Sequence, residues 1–303
     1  MKLAYLIMAH TDPKHLRRLV DALNVQGKTD FYVHVDSKVD IDPFKAELKS
    51  NMENIKVIEK RVYTTWGGYS QVLAYQSLMQ ECIASGTDYG HVFLLSGLDY
   101  PLWSKTRIVE FMEEHPTTEF VRAKCITGTT IGEFKCSRYH YFRDMRTPFY
   151  QLRRCLMFAA RHLMGLLPLR KKQYVMTNGK RNDIFFASEW FCMTGRCMSY
   201  VYDQLTNNQD WERYFRHSYC PDELVVATIL FNSPFAEHAF KWKKEDGDGL
   251  VGVTMLHYIE YTDAIQIYDE RDYDKLMVSE KMFARKLVTG RSDKLMDRLD
   301  GMI

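Results

Sequence analysis

The chain has 303 residues, enough to bury a sizeable core without disulfide or metal staples, and its length allows one large α/β domain or two small ones. Apolar residues make up 46% and charged residues 26%, the balance of a soluble globular protein rather than a disordered or fibrous one. A formal net charge of +2 gives no reason to expect nucleic-acid binding.

Leu3 to Ala9 is a short continuous apolar run, as a strand covered on both faces reads. It is too short to cross a bilayer and is followed by no small-residue cleavage site, so neither an anchor nor a signal peptide is expected. Leu16, Leu19, Val20 and Leu23 recur at helical spacing. Phe31 to Val35 and Ile55 to Ile58 read as the second and third strands, Val72, Tyr75, Met79, Cys82 and Ile83 as one face of a helix, and His91 to Leu95 as a fourth strand. Ile108, Phe111 and Met112 mark the next helix. This alternation predicts βαβ units and a mainly parallel sheet, whose ligands bind at the carboxyl ends of the strands.

Residues 124–182 show no clear period. Within them, 150–172 interleave Arg153, Arg154, Arg161, Arg170, Lys171 and Lys172 with eight large apolar residues. That pattern fits either peripheral contact with a membrane surface or a core-packed helix with a solvated basic side. Asp183 to Ala187 is a predicted strand, Met198 to Leu205 a helix, Pro221 to Leu230 another helix, and Lys243 to Gly249 a loop. His257 to Tyr261 reads as a strand, and Ser279 as the cap of a last helix carrying Met282, Phe283 and Leu287. No internal repeat or linker divides the chain. The seven cysteines are scattered without a C-x-x-C pair, which argues for reduced thiols and a cytoplasmic protein, with peripheral contact at the inner face of the membrane as the reading if 150–172 binds lipid.

Five segments carry polar chemistry where such a sheet binds ligands. Ala9-His10-Thr11 and His34-Val35-Asp36 close the first two strands; a carboxylate there suits a ribose or base, and Asp is equally a common turn residue. Thr65-Trp66-Gly67-Gly68-Tyr69-Ser70 runs into a helix and permits close backbone approach, but is no phosphate loop. Ser96-Gly97-Leu98-Asp99-Tyr100-Pro101 places a carboxylate after a buried strand. Cys220-Pro221-Asp222-Glu223 opens a helix, where acidic residues also serve the helix dipole.

His34-Val35-Asp36, Trp66-Gly67-Gly68, Ser96-Gly97-Leu98-Asp99-Tyr100-Pro101 and Pro221-Asp222-Glu223, taken in order with Ala187-Ser188-Glu189-Trp190 and Phe283-Ala284-Arg285-Lys286, resemble the core-2/I-branching β-1,6-N-acetylglucosaminyltransferase family over roughly residues 3–288. The resemblance implies a GT-A-type single domain over 1–303, with 1–122 as the nucleotide-sugar-binding half and 123–303 as the acceptor-binding and catalytic half. It implies a UDP-sugar donor, a glycan or glycolipid acceptor, inversion at the anomeric carbon, and catalysis with no metal or other cofactor. Carried over residue by residue, Glu223 is the general base, Lys286 the diphosphate contact and Asp36 the nucleoside contact. Ala9, His10, Arg285 and His257 join the donor site; Trp190, Glu189, Asp99 and Trp66 are placed with the acceptor.

The residue types suit that chemistry. A carboxylate can take the proton of an attacking sugar hydroxyl, and a fixed cation can stabilise the leaving diphosphate as a metal does. The metal-binding Asp-x-Asp of other such enzymes is absent after the fourth strand, where Asp99 stands alone; Asp40-Ile41-Asp42 and Asp246-Gly247-Asp248 occur in charged stretches elsewhere. The sequence departs from the family pattern at His257, which stands where an arginine is usual, and at Glu189, an extra carboxylate able to compete with Glu223 for the base role. N-Acetylglucosamine is the donor sugar suggested by the family name, with xylose as the alternative. A catalytically inert nucleotide- or glycan-binding module is the reading from another class.

Overall fold

The computed structural model describes residues 1–48, 53–129, 139–145, 155–159, 162–163, 171–261 and 264–301. The molecule is a mixed α/β structure with a mainly parallel central sheet flanked by helices. Strands β1 (Leu3–Ala9), β2 (Thr29–Val35), β3 (Ile55–Val57) and β4 (His91–Ser96) pair in parallel in the order β4-β1-β2-β3. The sheet continues beyond β4 through the antiparallel β10 (Cys192–Thr194), then β6 (Glu119–Cys125) and β11 (Ala239–Lys241), with β9 (Phe185–Ala187) pairing β6.

Strand β1 shows why the apolar run reads without alternation. Leu3, Tyr5 and Ile7 face the helix Pro13–Leu23 through Leu16, Leu19, Val20 and Leu23. Ala4 and Leu6 face the helix Ser70–Ala84 through Val72, Tyr75, Leu78 and Met79. Both faces are therefore dry, and each buried aliphatic side chain contributes about 1.5–3 kcal/mol. Tyr5 lies stacked between Phe31 and Phe93 at centroid distances of 5.3 and 5.0 Å.

A smaller sheet of β5 (Asp99–Pro101), β13 (Phe283–Arg285) and β12 (His257–Ile259) packs beside the main one. It corrects the expectation of a helix capped by Ser279. Ser279 instead ends the helix Tyr273–Val278; Phe283 and Ala284 form a strand, and the last helix is Asp293–Asp300. Phe283 and Ala284 are fully buried by different clusters, which needs the two-sided exposure of a strand, and the Met282–Leu287 spacing alone does not reveal that period. The predicted helix from Pro221 is also broken: Pro221–Glu223 is a single 3₁₀ turn, and the α-helix runs Val225–Phe231. Strand β6 was not anticipated.

No helix among the described residues is long and apolar enough to cross a membrane. In the basic stretch, 155–159 is helical with Leu156 and Phe158 exposed; 146–154, 160–161 and 164–170 lie outside the described residues. Cys82, Cys125, Cys155, Cys192 and Cys197 are free thiols, and Cys136 lies outside the described residues.

Candidate active site

A cleft of about 680 Å³ opens at the carboxyl ends of β1, β2 and β4, lined there by Ala9, His10, His34, Asp36 and Ser96. The chain reaches this point by register: Asp36 N donates to the Ala9 carbonyl (2.8 Å) and Gly97 N to the Met8 carbonyl (2.8 Å), so the three strand ends meet. Opposite stand Glu189, Trp190, Asp222 and Glu223, and the C-terminal segment brings in Arg285 and Lys286.

On the strand-end wall, Asp36 is almost fully buried. Its Oδ1 accepts from Lys38 N (2.9 Å), and its Oδ2 takes the Thr64 hydroxyl and lies 3.2 Å from Lys38 Nζ. Burial pushes its carboxyl up, but these bonds prevail and hold it below the ordinary carboxylate range. His34 lies beneath, accepting from Val62 N (2.8 Å); burial lowers it to about 4, so it is a neutral acceptor. His10 is lowered by burial and by the Arg285 cation, with Asp36 opposing, and is therefore a polar contact rather than a charge at neutral pH.

Arg285 and Lys286 end β13. Register pairs Arg285 with Asp99, and its Nη1 donates to Asp99 Oδ1 at 3.1 Å. Asp99 Oδ2 accepts from Ser96 N (2.7 Å) and lies 3.1 Å from His257 Nε2. The second face of the Arg285 guanidinium lies over the Trp190 ring, 4.5 Å from its centroid. The Lys286 backbone is clamped on both sides, its N donating to the Gln266 carbonyl and its carbonyl accepting from Tyr268 N. Its ammonium has no partner among the described residues.

The opposite wall is hung from the glycine loop. Gly67 has φ +68°, and its carbonyl accepts from Cys220 N (3.2 Å), which fixes the turn before Pro221. A Cβ on Gly68 would lie 2.3 Å from Asp144 Oδ1, the carboxylate that accepts from Ser70 N and Oγ. Gly67 thus supplies a left-handed turn, and Gly68 leaves room for the Asp144 carboxylate. Gln71 joins this loop to the acidic wall, its Oε1 accepting from Gly67 N (2.7 Å) and its Nε2 donating to Glu189 Oε2 (3.4 Å). Asp222 is 6% exposed, its carboxyl within hydrogen-bond reach of Glu189; burial and then Glu189 push it well above the carboxylate range. Glu223 is raised to about 8, first by burial and then by Glu189. Its backbone N donates to the Cys220 carbonyl (3.1 Å).

Nine of the sequence-predicted site residues therefore line one cleft: Ala9, His10, Asp36, Trp66, Glu189, Trp190, Glu223, Arg285 and Lys286. Two do not. Asp99 and His257 have fully buried side chains behind Arg285, so neither presents a surface to acceptor or donor. Trp190, placed with the acceptor, is buried and has Arg285 on its ring; Trp66 is 67% exposed, lies edge-to-face with Tyr219 and has the Arg143 guanidinium 5.3 Å from its ring centroid. Sequence reasoning missed Lys38, Thr64, Gln71, Tyr219 and Tyr261 on the same lining, and gave Asp222 no role. Lys38, Thr64, Gln71 and Tyr219 sit within three residues of the motifs, which was the available signal. Neither Asp-x-Asp pair reaches the cleft: Asp40 accepts from Asp42 N at a helix start, and Asp246 pairs with Arg122 at 3.1 Å.

Comparison with known proteins bears on this arrangement. The chain is 22% identical over 245 residues to Xylosyltransferase oxt of Drosophila melanogaster, covering 77% of this chain and 25% of that protein. It is 28% identical over 241 residues to Xylosyltransferase 2 of Bos taurus, covering 78% and 25%. The chain thus spans about a quarter of the length of the curated relatives it matches. Among solved structures, mouse Xyloside xylosyltransferase 1 in its apo form gives a TM-score of 0.32 at 10% identity, covering 78% of this chain and 84% of that one. S. aureus TarS 1–349 in complex with UDP gives 0.29 at 18%, covering 48% and 43%. The sequence pattern of the Core-2/I-Branching enzyme matches residues 3–266, nearly all of the cleft's lining included, and the chain belongs to that family.

Proposed function

We propose that the cleft is the active site of an inverting glycosyltransferase, which moves a sugar from a UDP-sugar to a hydroxyl of a glycan acceptor and needs no metal ion. The observation that carries this reading is the placement of the Lys286 ammonium, without a partner among the described residues, and the Arg285 guanidinium in a single cleft with the raised carboxyl of Glu223. The nucleoside lies toward Asp36 and His34, and the diphosphate toward Arg285, Lys286 and the polar edge of His10. Glu223 takes the proton of the acceptor hydroxyl as its oxygen bonds to the anomeric carbon. The bond to the diphosphate breaks with its electron pair, and the charge that develops there is met by Lys286 and Arg285. Arg285 is aimed by Asp99 and Trp190, so it is pre-organised and costs little reorganisation during the reaction.

The names of the relatives favour xylose over N-acetylglucosamine as the transferred sugar. UDP release from a panel of UDP-sugars, measured with EDTA present and with sugar acceptors supplied, tests both statements. Turnover that persists in EDTA and falls by about 10²-fold or more in Glu223→Gln supports the reading. Turnover abolished by EDTA contradicts the metal-free mechanism.

A further inference from the structure

Asp99 is a buried carboxylate that meets three donors. Its Oδ1 accepts from Arg285 Nη1 (3.1 Å), and its Oδ2 accepts from the Ser96 backbone N (2.7 Å) and lies 3.1 Å from His257 Nε2. A carboxylate ion-paired to an arginine only accepts, so His257 Nε2 carries the proton of this bond. The other ring nitrogen, Nδ1, is buried and has no hydrogen-bond partner. The ring is held by shape instead. It stacks on Phe283 at a centroid distance of 5.1 Å and an interplanar angle of 24°, and its centroid lies 6.2 Å from that of Trp190. His257 thus neighbours both supports of the Arg285 guanidinium, the Asp99 carboxylate and the Trp190 ring. Strand register puts it there: β12 and β13 pair His257 with Phe283 and Ile259 with Arg285.

We propose that His257 is a positioning residue for the donor diphosphate: its Nε2–H tethers Asp99 Oδ2, which turns Oδ1 toward Arg285 and so aims the guanidinium into the cleft. The inference rests on the diphosphate lying against Arg285. The torsion that rotates an aspartate carboxylate is broad and gives little direction by itself. Oδ2 is held from two directions, by Ser96 N and by His257, and that freedom is removed. The His15 ring meets the other end of the residue, its Nε2 3.0 Å from the Asp99 carbonyl oxygen. Arg285 depends on the result. Its bond to Asp99 is its one side-chain hydrogen bond among the described residues, and its Nε is buried without a partner. A guanidinium tied at one point to a turning carboxylate swings with it; tied to a locked one and laid on Trp190, it points one way.

The test compares UDP with uridine, which lacks the diphosphate. Both affinities are measured by calorimetry for wild type, His257→Phe, His257→Gln, Arg285→Ala and the double variant His257→Phe with Arg285→Ala, all in the 303-residue chain and checked by thermal melting. Phenylalanine keeps a ring against Phe283 and Trp190 without an N–H; glutamine keeps a donor. Arg285→Ala is expected to weaken UDP by about 10- to 100-fold and to leave uridine unchanged. His257→Phe weakens UDP by about 5- to 10-fold, leaves uridine unchanged, and adds nothing once Arg285 is gone. His257→Gln retains most of the wild-type UDP affinity. Wild-type UDP affinity in His257→Phe, beside a loss in Arg285→Ala, overturns the inference and leaves the diphosphate site standing. An equal loss of UDP and uridine, or a loss that adds in full to that of Arg285→Ala, is general loss of packing and overturns it as well. UDP affinity unchanged in Arg285→Ala overturns the reading of the diphosphate site itself. One measurement needs no variant to fold: ¹⁵N NMR of the wild-type imidazole is expected to show the proton of His257 on Nε2. A ring protonated at Nδ1 alone cannot donate to Asp99 and overturns the inference.

Discussion

On the strand-end wall of the cleft, opposite charges are matched: Asp99 holds Arg285, and Asp36 holds Lys38, leaving only the Lys286 ammonium without a partner among the described residues. On the facing wall, Glu189, Asp222 and Glu223 meet one another and no cation. Pairing fixes position. Arg285 is held on one side by a carboxylate and on the other by Trp190, so its charge points in one direction. The lack of pairing keeps reactivity, since an uncompensated carboxyl in a poorly solvated wall seeks a proton. One cleft thus holds a cationic wall and an acidic wall, the arrangement on which the proposed transfer between two oxygens draws.

The comparison can be broken from the cationic side first. Lys286→Ala removes the cation of the cleft that has no partner among the described residues and is expected to lower kcat/KM by about 10²–10³-fold, as loss of a fixed charge at a leaving oxyanion does. UDP binding, followed by calorimetry, weakens in the same variant. Asp99→Asn tests pairing rather than charge. It leaves Arg285 and His257 against a neutral group in the interior, and loss of one partner of a buried pair costs about 3–5 kcal/mol, seen as a lower denaturation midpoint. Turnover then falls because Arg285 is no longer aimed.

A smaller effect sharpens the acidic side. Glu223 has a folded value of about 8 against an ordinary 4.5, so the folded state binds the extra proton between those values. Stability is therefore lost as pH rises from about 4.5 to about 8, and not regained above. Glu223→Gln removes this penalty: its melting temperature should match wild type near pH 4.5 and exceed it by a few degrees, roughly 2–4 °C per kcal/mol, at pH 9.

Much of the strand-end wall was legible in the sequence. The runs Leu3–Ala9, Phe31–Val35 and His91–Leu95 are buried on both faces, and continuous apolar strands announce where their polar ends must gather. The facing wall was legible only through resemblance, because Pro221-Asp222-Glu223 looks like any helix start, and its role comes from burial and from Glu189, distant in sequence. Asp99 and His257 were misplaced because a charged residue at a strand end reads the same whether it faces ligand or supports a ligand-facing arginine. Phe283–Arg285 was misread as helix because a three-residue strand carries too little period to outweigh apolar residues four or five apart. Trp66 and Trp190 differ in exposure, 67% against 7%, a difference set by the packing of distant segments and not by their neighbours in sequence.

The division of labour between the walls is tested most directly by measuring UDP affinity and UDP-sugar turnover side by side in Glu223→Gln. The account predicts wild-type affinity, because the nucleotide rests on the strand-end wall, together with turnover reduced by about 10²-fold or more. Weakened UDP binding with turnover near the wild-type level would contradict it, and would mean that the acidic wall holds the nucleotide rather than the proton.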